Sequence, residues 1–315
     1  MSTTPDENWR LFHGDGVRRQ VAMPPAPPWR RFRDMRSTPR PLPYLISSEH
    51  ANVVNAALHL RRPLLVTGPA GTGKSSLAFA IAHELCLGTV LRWPVNSRSS
   101  VREALYQYDA IGRLRETNIS RDQGKEEPTM GSFIRLGPLG TALVPQDRPR
   151  VLLVDEMDKG DVDLPNDLLT VFEEGYFEIP ELVRLPEEQS VMQVRSADPG
   201  HEVRVESGHV HCTEFPIVVI TSNGEREFPP AFLRRCIPLV FPVADEGRLR
   251  SIVAAHLGEE TLSEAQDLIE AFLQRRAPGE LATDQLLNAV FLRTNGVNLG
   301  EDLLDAVLHQ LTGTG

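Results

Sequence analysis

Apolar and polar positions alternate along this chain in two ways. Short continuous apolar runs predict buried strands, and apolar residues three to four positions apart predict helices. The runs predict strands at 63–67, 89–95, 151–154, 216–221 and 237–241. The spaced patterns predict helices at 48–60, 75–87, 101–114 and 164–174, with a loop over 119–132. Strands that alternate with helices predict an α/β fold, in which helices flank a parallel sheet.

Two other parts of the chain carry different patterns. Period-two stretches on either side of Asp198-Pro199-Gly200 predict a polar hairpin within 191–212. Beyond a boundary near 243–247 the pattern predicts helices only, at about 247–257, 261–275, 283–293 and 300–311. We therefore expect a small all-helical domain after the α/β domain.

Composition narrows the class of protein. The 315 residues carry a formal net charge of −10, and no apolar stretch approaches the roughly 20 residues of a membrane helix. This acidity argues against a nucleic-acid surface, which needs clustered lysine or arginine. Three widely separated cysteines indicate a reducing cytoplasm, namely Cys86, Cys212 and Cys236. Residues 1–43 are rich in proline and arginine and are expected to be partly disordered. Trp29 and Phe32 in this segment, and Tyr44 just after it, are aromatic candidates for docking.

A glycine-rich segment is the first candidate for chemistry. Residues 68–75, GPAGTGKS, match the phosphate-binding pattern G-x-x-x-x-G-K-[ST] in full, between a predicted strand and a predicted helix. Glycines let backbone N–H groups approach phosphate oxygens closely, and the helix N-terminus adds free donors. The pattern predicts that Lys74 reaches the β- and γ-phosphates and that the Ser75 hydroxyl binds Mg²⁺.

An apolar strand ends in two carboxylates, Asp155 and Glu156. In a parallel sheet, ligands bind at the carboxyl ends of the strands, which places Asp155 beside Ser75 and the metal. Glu156 is then the candidate that polarises a water for attack on the γ-phosphate. Taken alone, the pair is more typical of an acidic turn between a strand and a helix; together with a complete phosphate-binding segment, it favours the catalytic role.

Another predicted strand ends in the polar residues Thr221-Ser222-Asn223. Asn223 is a candidate for holding the attacking water or contacting the γ-phosphate. The alternative is simple turn formation, because Asn223-Gly224 is a strong turn pair.

A short predicted helix that starts at Pro229 ends in Arg234 and Arg235, just before a strand. A forked guanidinium suits a phosphate transition state, and a neighbouring subunit can supply it. The alternative is a surface arginine pair beside the acidic segment 161–167.

The segments GPAGTGKS, VLLVDEMDK, VVITSN and AFLRRC, in this order, resemble those of AAA+ ATPases. A further segment at 133–139, FIRLGPL, is similar to the F-x-x-G-P-[IL] element of the MoxR branch. The resemblance covers roughly residues 42–315. It implies an AAA+ P-loop NTPase core over 44–243, with inserts near 119–140 and 176–214, and a helical lid over 244–315.

The resemblance also implies roles for single residues. ATP and Mg²⁺ would be held by a set within the glycine-rich segment: Gly68, Gly71, Thr72, Gly73, Lys74, Ser75 and Ser76, with Asp155 as a second metal ligand. Glu156 would be the catalytic carboxylate, Asn223 the sensor-1 residue and Arg235 the finger that acts in a neighbouring subunit. Arg234 stands where MoxR members often have aspartate, so either arginine could reach the phosphate.

One departure from the family concerns the lid. A sensor-2 arginine is expected at the start of a late lid helix, but residues 281–284 read LATD. Three arginines lie nearby but off the pattern, namely Arg275, Arg276 and Arg293. Either the role is lost or another residue fills it.

The resemblance implies a ring-forming ATPase, expected to be a hexamer, that remodels or activates a partner protein in the manner of a chaperone. The partner is expected to be a separate protein with a von Willebrand factor A domain. Two alternatives stay open. One is a nucleic-acid motor or loader, suggested by the basic N-terminal segment, and the other is a nucleotide-gated switch with little hydrolysis.

Overall fold

The computed structural model describes residues 9–30, 44, 46–275 and 281–308. The strands are β1 (Leu64–Thr67), β2 (Leu91–Pro94), β3 (Tyr106–Tyr108), β4 (Ile134–Leu136), β5 (Val151–Asp155), β6 (Tyr176–Glu178), β7 (Val191–Arg195), β8 (Glu202–Glu206), β9 (His209–His211), β10 (Ile217–Ser222) and β11 (Ile237–Val240). The helices are α1 (Ser48–Leu60), α2 (Lys74–Glu84), α3 (Val101–Leu105), α4 (Ala110–Asp122), α5 (Pro138–Ala142), α6 (Leu164–Glu174), α7 (Pro180–Val183), α8 (Pro230–Leu233), α9 (Glu246–Leu257), α10 (Glu260–Arg275), α11 (Thr283–Thr294) and α12 (Glu301–Val307).

Five of these strands form the expected parallel sheet, in the order β11-β1-β10-β5-β2. Every residue of β5 and β10 is buried, as is typical of central strands that are covered on both faces. The register pairs Thr67 with Ser222 and Ile220 with Val154. The polar residues that follow β1, β5 and β10 therefore lie at one edge of the sheet, next to the start of α2.

A second sheet of six strands has the order β3-β4-β7-β8-β9-β6. Strands β3, β4 and β6 have three residues each, and the apolar pattern of the sequence does not predict them. Strand β4 lies in the first predicted insert and pairs with β7 of the second, through Arg135 and Arg195. Strands of both predicted inserts thus share one sheet with β3, which precedes the first insert.

The helix predicted over 101–114 is wrong as a single element. It ends at Leu105, and the chain continues into strand β3 before α4 begins after Asp109. The Asp109 side chain accepts a hydrogen bond from the Gly112 N–H at 2.8 Å and caps α4. Strand pairing of Tyr106 with Leu136 on β4 overrides the local helical period. The loop predicted over 119–132 is correspondingly too long, because α4 continues to Asp122.

The predicted hairpin is confirmed as β7 and β8, which pair antiparallel around the turn at Asp198-Pro199-Gly200. The carboxylate of Asp198 accepts hydrogen bonds from both terminal nitrogens of Arg150, at 2.7 and 2.9 Å. Arg150 immediately precedes β5, so this pair ties the hairpin turn to the edge of the parallel sheet opposite the glycine-rich segment. The Arg150 hydrogen bonds, working against partial burial, hold the pKa of Asp198 below its usual value.

The described residues divide into two compact units. One consists of Ile46–Pro69 and Gly73–Pro242 and contains both sheets. The other consists of the described residues of Met1–Leu45, Ala70–Thr72 and Val243–Gly315. Its apolar core comes from α9, α10 and α11, with Leu249, Phe272 and Leu286 fully buried. The predicted C-terminal helices are confirmed, although 309–311 of the last one lie outside the described residues.

Part of the N-terminal extension has a place in this second unit. The Trp29 indole Nε1 donates a hydrogen bond to Asn288 Oδ1 at 3.1 Å, and its ring meets Phe291 edge to face. Residues 1–8 and 31–43, which include Phe32, lie outside the described residues. Among the helices of the described chain, none combines the length and apolar content needed to cross a bilayer.

Candidate functional site

The glycine-rich segment joins β1 to α2. Gly68, Gly71 and Gly73 have φ angles of 144°, 73° and 85°, which side chains rarely adopt. A methyl group on Gly68 would lie 2.3 Å from the carbonyl oxygen of Phe241 at the end of β11. Gly68 therefore satisfies a packing requirement in addition to the predicted approach of phosphate.

Lys74 occupies the first turn of α2 with only 7% of its surface exposed. Its ammonium group donates hydrogen bonds to the carbonyls of Gly68 and Pro69, both at 2.7 Å, and to Asn223 Oδ1 at 2.9 Å. Burial lowers the pKa of Lys74, and nearby carboxylates oppose that change. The lysine side chain is thus folded back against the loop, where it is held beside Asn223.

Asp155 lies at the end of β5 and is 5% exposed. Its Oδ1 accepts hydrogen bonds from the hydroxyls of Ser75, at 2.6 Å, and Thr221, at 2.9 Å. Its Oδ2 accepts from Arg92 Nη2 at 2.6 Å and Nε at 3.2 Å. Burial raises the pKa of Asp155, but hydrogen bonds from Ser75, Arg92 and Thr221 outweigh it, and the net pKa lies below its usual value. Asp155 is therefore held as a carboxylate.

The oxygen atoms of Ser75 and Asp155 are suitable ligands for the predicted Mg²⁺. Ser75 and Asp155 bring a hydroxyl and a carboxylate oxygen within 2.6 Å of each other, and hard oxygen ligands of this kind are the ones that Mg²⁺ takes. The metal ion usually keeps several waters and shares phosphate oxygens, so two protein ligands suffice. Thr72 is half-buried in the loop, and Ser76 is exposed on the first turn of α2.

Glu156 adopts a left-handed backbone conformation, with φ of 60° and ψ of 51°. Such a conformation is uncommon outside glycine and costs about 1–3 kcal/mol, and it concentrates at functional sites. The Glu156 N–H donates to Thr221 Oγ1 at 2.9 Å, which fixes the turn. The carboxylate is half-exposed and pairs with Lys159 Nζ at 3.0 Å, so it remains accessible to a water molecule.

Asn223 is positioned by a second aspartate, Asp158, which is 6% exposed. Asp158 Oδ2 accepts hydrogen bonds from the backbone N–H groups of Asn223, at 2.9 Å, and Glu225, at 3.1 Å. These bonds fix the chain just beyond β10. The Asn223 amide then contacts Lys74, as described above, and donates to Glu225 Oε1 at 3.3 Å.

The two candidate finger residues lie away from this group. The Arg235 guanidinium forms an ion pair with Glu173 of α6, and its Nη1 donates to the Ala231 carbonyl at 3.1 Å. The Arg234 side chain is exposed, and its carbonyl accepts from Arg62. Among the described residues, neither arginine forms a hydrogen bond or an ion pair with the glycine-rich segment. Within one chain, neither arginine is brought to the site.

The start of α11 carries no arginine, as the sequence indicates. Two of the three nearby arginines pair within the C-terminal unit, Arg275 with Asp305 at 2.9 Å and Arg293 with Asp267. Arg276 lies outside the described residues.

Sequence reasoning missed two residues of this site, Arg92 and Asp158. Asp158 lies three positions after Asp155 in the same acidic segment. Its burial, like that of Asp155, distinguishes it from the other acidic residues there, and burial of a single carboxylate is not visible in the sequence. Arg92 stands on β2 between the buried residues Leu91 and Trp93. An arginine at the exposed position of an alternating strand is usually solvated, so the sequence gives no sign that Arg92 belongs to the site.

Comparison with known families identifies the fold. The family model of the AAA domain (dynein-related subfamily) matches residues 63–236, which is more than half of the chain. The chain therefore belongs to this family, and its parallel sheet with flanking helices is the P-loop NTPase fold of AAA+ proteins, followed by C-terminal helices.

Two solved structures that the chain matches are of NtrX from Brucella abortus. The structure with ADP is 16% identical over 87% of this chain and 57% of NtrX, with a TM-score of 0.42. The structure with ATP is 18% identical over 85% of this chain and 58% of NtrX, with a TM-score of 0.43. The chain thus spans less than two thirds of the length of either NtrX structure.

Proposed function

We propose that this AAA-domain protein binds and hydrolyses ATP and acts as an oligomeric remodeller or activator of a partner protein, of the MoxR type. The observation that carries the proposal is the group at the edge of the parallel sheet. There Ser75 meets Asp155 at 2.6 Å and Lys74 meets Asn223 at 2.9 Å. A cation, a metal-binding oxygen pair and a polar amide within one loop cluster suit a polyphosphate.

In the proposed reaction, the loop N–H groups and Lys74 bind the phosphates and offset their charge. Mg²⁺, held by Ser75 and Asp155, would supply further charge stabilisation when bound. Asn223 orients a water molecule, and Glu156 accepts its proton as the water oxygen attacks the γ-phosphorus. The bond to the bridging oxygen breaks, and the products are ADP and phosphate.

Assembly is part of the proposal. Within one chain Arg235 pairs with Glu173 and does not contact the glycine-rich segment. A neighbouring subunit in a ring, expected to be a hexamer, would bring its own Arg235 to the γ-phosphate. Arg234 is the alternative finger. Residues 281–284 carry no arginine, so either the sensor-2 role is lost or another residue fills it.

The proposed partner is a protein, with a von Willebrand factor A domain as the expected type. The net charge of −10 disfavours nucleic acid as the partner. The three cysteines are free thiols, which suits the proposed cytoplasmic location.

Two substitutions test the proposed chemistry. Lys74→Ala should abolish ATP binding, because it removes the cation beside the loop. Glu156→Gln should retain ATP binding and lower turnover by about 100-fold or more, because it removes the proton acceptor. Binding is measured by calorimetry and turnover by phosphate release, with the exposed Glu174→Gln as the matched control.

Three results would separate the alternatives. Full turnover in Glu156→Gln would contradict the role of that residue. ATP binding without turnover in the unsubstituted protein would favour a nucleotide-gated switch. Retention on DNA at physiological salt would favour a nucleic-acid motor instead.

A further inference from the structure

Arg92 forms an ion pair with Asp155 at 2.6 Å, and the family resemblance assigns it no role. Its guanidinium makes two hydrogen bonds to Oδ2, while Ser75 and Thr221 donate to Oδ1. Oδ1 of the carboxylate therefore faces the hydroxyls, where Mg²⁺ is expected, and Oδ2 faces the guanidinium.

The strand register explains why Arg92 reaches this carboxylate. Strand β2 pairs with β5, with Arg92 opposite Leu153 and Pro94 opposite Asp155. The alternation on β2 buries Leu91 and Trp93 and leaves Arg92 on the other face. A long side chain from this position extends along β5 as far as Asp155, and 58% of its surface stays exposed.

Burial makes this pairing energetically important. A carboxylate that is 5% exposed is costly unless a cation or several donors compensate it. Mg²⁺ would provide that compensation in the loaded site, whereas the guanidinium provides it in the structure described. An uncompensated Asp155 would also repel the phosphates of an arriving nucleotide.

We propose that Arg92 is a built-in counter-cation of Asp155, which lets the site bind nucleotide before Mg²⁺ arrives. This inference rests on the proposed function, since it concerns the same nucleotide. Arg92 is a positioning residue here, because it acts through Asp155. The consequence is that the nucleotide affinity of the protein depends less on Mg²⁺ than it would with a neutral residue at this position.

The test measures ADP affinity of the full chain by calorimetry, in excess EDTA and in excess Mg²⁺. We expect Arg92→Gln to weaken ADP binding by about tenfold or more in EDTA, because it removes a charge-assisted pair beside the phosphates. In Mg²⁺ the loss should stay within about threefold, because the metal compensates Asp155. The ratio of the ADP dissociation constant in EDTA to that in Mg²⁺ should therefore be higher in Arg92→Gln than in the wild type.

Matched variants separate this role from general effects. Arg98→Gln removes the same charge from an exposed arginine in the loop after β2 and should leave the ratio unchanged. Arg92→Lys keeps the charge but loses the fork, and should fall between the wild type and Arg92→Gln. Adding Asp155→Asn to Arg92→Gln removes both charges and should restore affinity in EDTA to within about threefold of the wild type.

The inference would be overturned, without affecting the proposed function, if Arg92→Gln left the ratio unchanged, including by weakening ADP binding equally in both buffers. The same rise of the ratio in Arg98→Gln would also overturn it. A failure of Asp155→Asn to rescue would also overturn it. If the wild-type chain binds no ADP even in Mg²⁺, the proposed function falls together with the inference. Thermal melting of each variant confirms that the chain is folded.

Discussion

At the scale of single residues, Asp155 and Asp158 hold different parts of the site from positions three apart. Asp155 accepts hydrogen bonds from two hydroxyls at Oδ1, where the metal is expected, and from a guanidinium at Oδ2. Asp158 accepts two backbone N–H groups and fixes the chain that carries Asn223. Both carboxylates are buried; donors reach both oxygens of Asp155 but only Oδ2 of Asp158, whose Oδ1 has no hydrogen-bond partner among the described residues.

Arg235 leads to a prediction at this scale. Its ion pair with Glu173 must break before it can act in a neighbouring subunit. Glu173→Ala should lower the protein concentration needed for half-maximal ATPase activity by about two- to fivefold, because an exposed ion pair is worth up to about 1 kcal/mol.

The measurement is ATPase rate per protomer over a dilution series, with Glu174→Ala on the same helix as the matched control. Identical midpoints for Glu173→Ala and Glu174→Ala would show that the ion pair does not restrain Arg235.

The sequence predicts part of the candidate site. Lys74, Ser75, Asp155 and Asn223 were predicted as one group, and the structure does bring their side chains together. Their catalytic roles remain predictions. Arg92 could not be found from sequence, because its contact depends on the register between β2 and β5, which a linear pattern does not contain.

At the scale of elements, the β7–β8 hairpin is fixed by its turn as well as by its strand pairing. Asp198 in the turn binds Arg150 before β5, and Thr89 Oγ1 donates to the same carboxylate at 3.2 Å. Both charged side chains are largely buried, so the pair is more than a surface contact.

Asp198→Asn should therefore destabilise the protein by about 1–3 kcal/mol at pH 7, through loss of charge-assisted hydrogen bonds. The folded pKa of Asp198 is lowered, so its contribution is present above the unfolded value and is lost as pH falls through the folded one. The stability difference between wild type and variant should shrink below about pH 4.

Urea unfolding across this pH range measures the effect, and Glu202→Gln at the exposed start of β8 is the control. A difference that stays constant down to pH 3 would show that the charge of Asp198 is not the cause.

Element prediction succeeded where the local pattern and the tertiary pairing agree. The long apolar runs of β5 and β10 predict buried strands, and the turn at Asp198-Pro199-Gly200 predicts the hairpin. Prediction failed at 101–114, where the partner of β3 lies on β4 about 30 residues away. Three-residue strands of this kind depend on long-range pairing, which a local period cannot show.

At the scale of the whole molecule, the AAA domain supplies one half of a proposed shared site. Each chain carries the proposed nucleotide-binding group at one edge of its parallel sheet, and its Arg235 contacts α6 and α8 instead. A ring in which each Arg235 serves the next subunit would complete the proposed site. We therefore expect activity that depends on assembly.

The most direct test is the ATPase rate per protomer as a function of protein concentration, for the wild type, Arg235→Ala and Arg234→Ala. We predict a rate that rises with concentration, falls by about 1,000-fold or more in Arg235→Ala, and largely persists in Arg234→Ala. A rate that is independent of concentration and unchanged in Arg235→Ala would contradict a site shared between subunits.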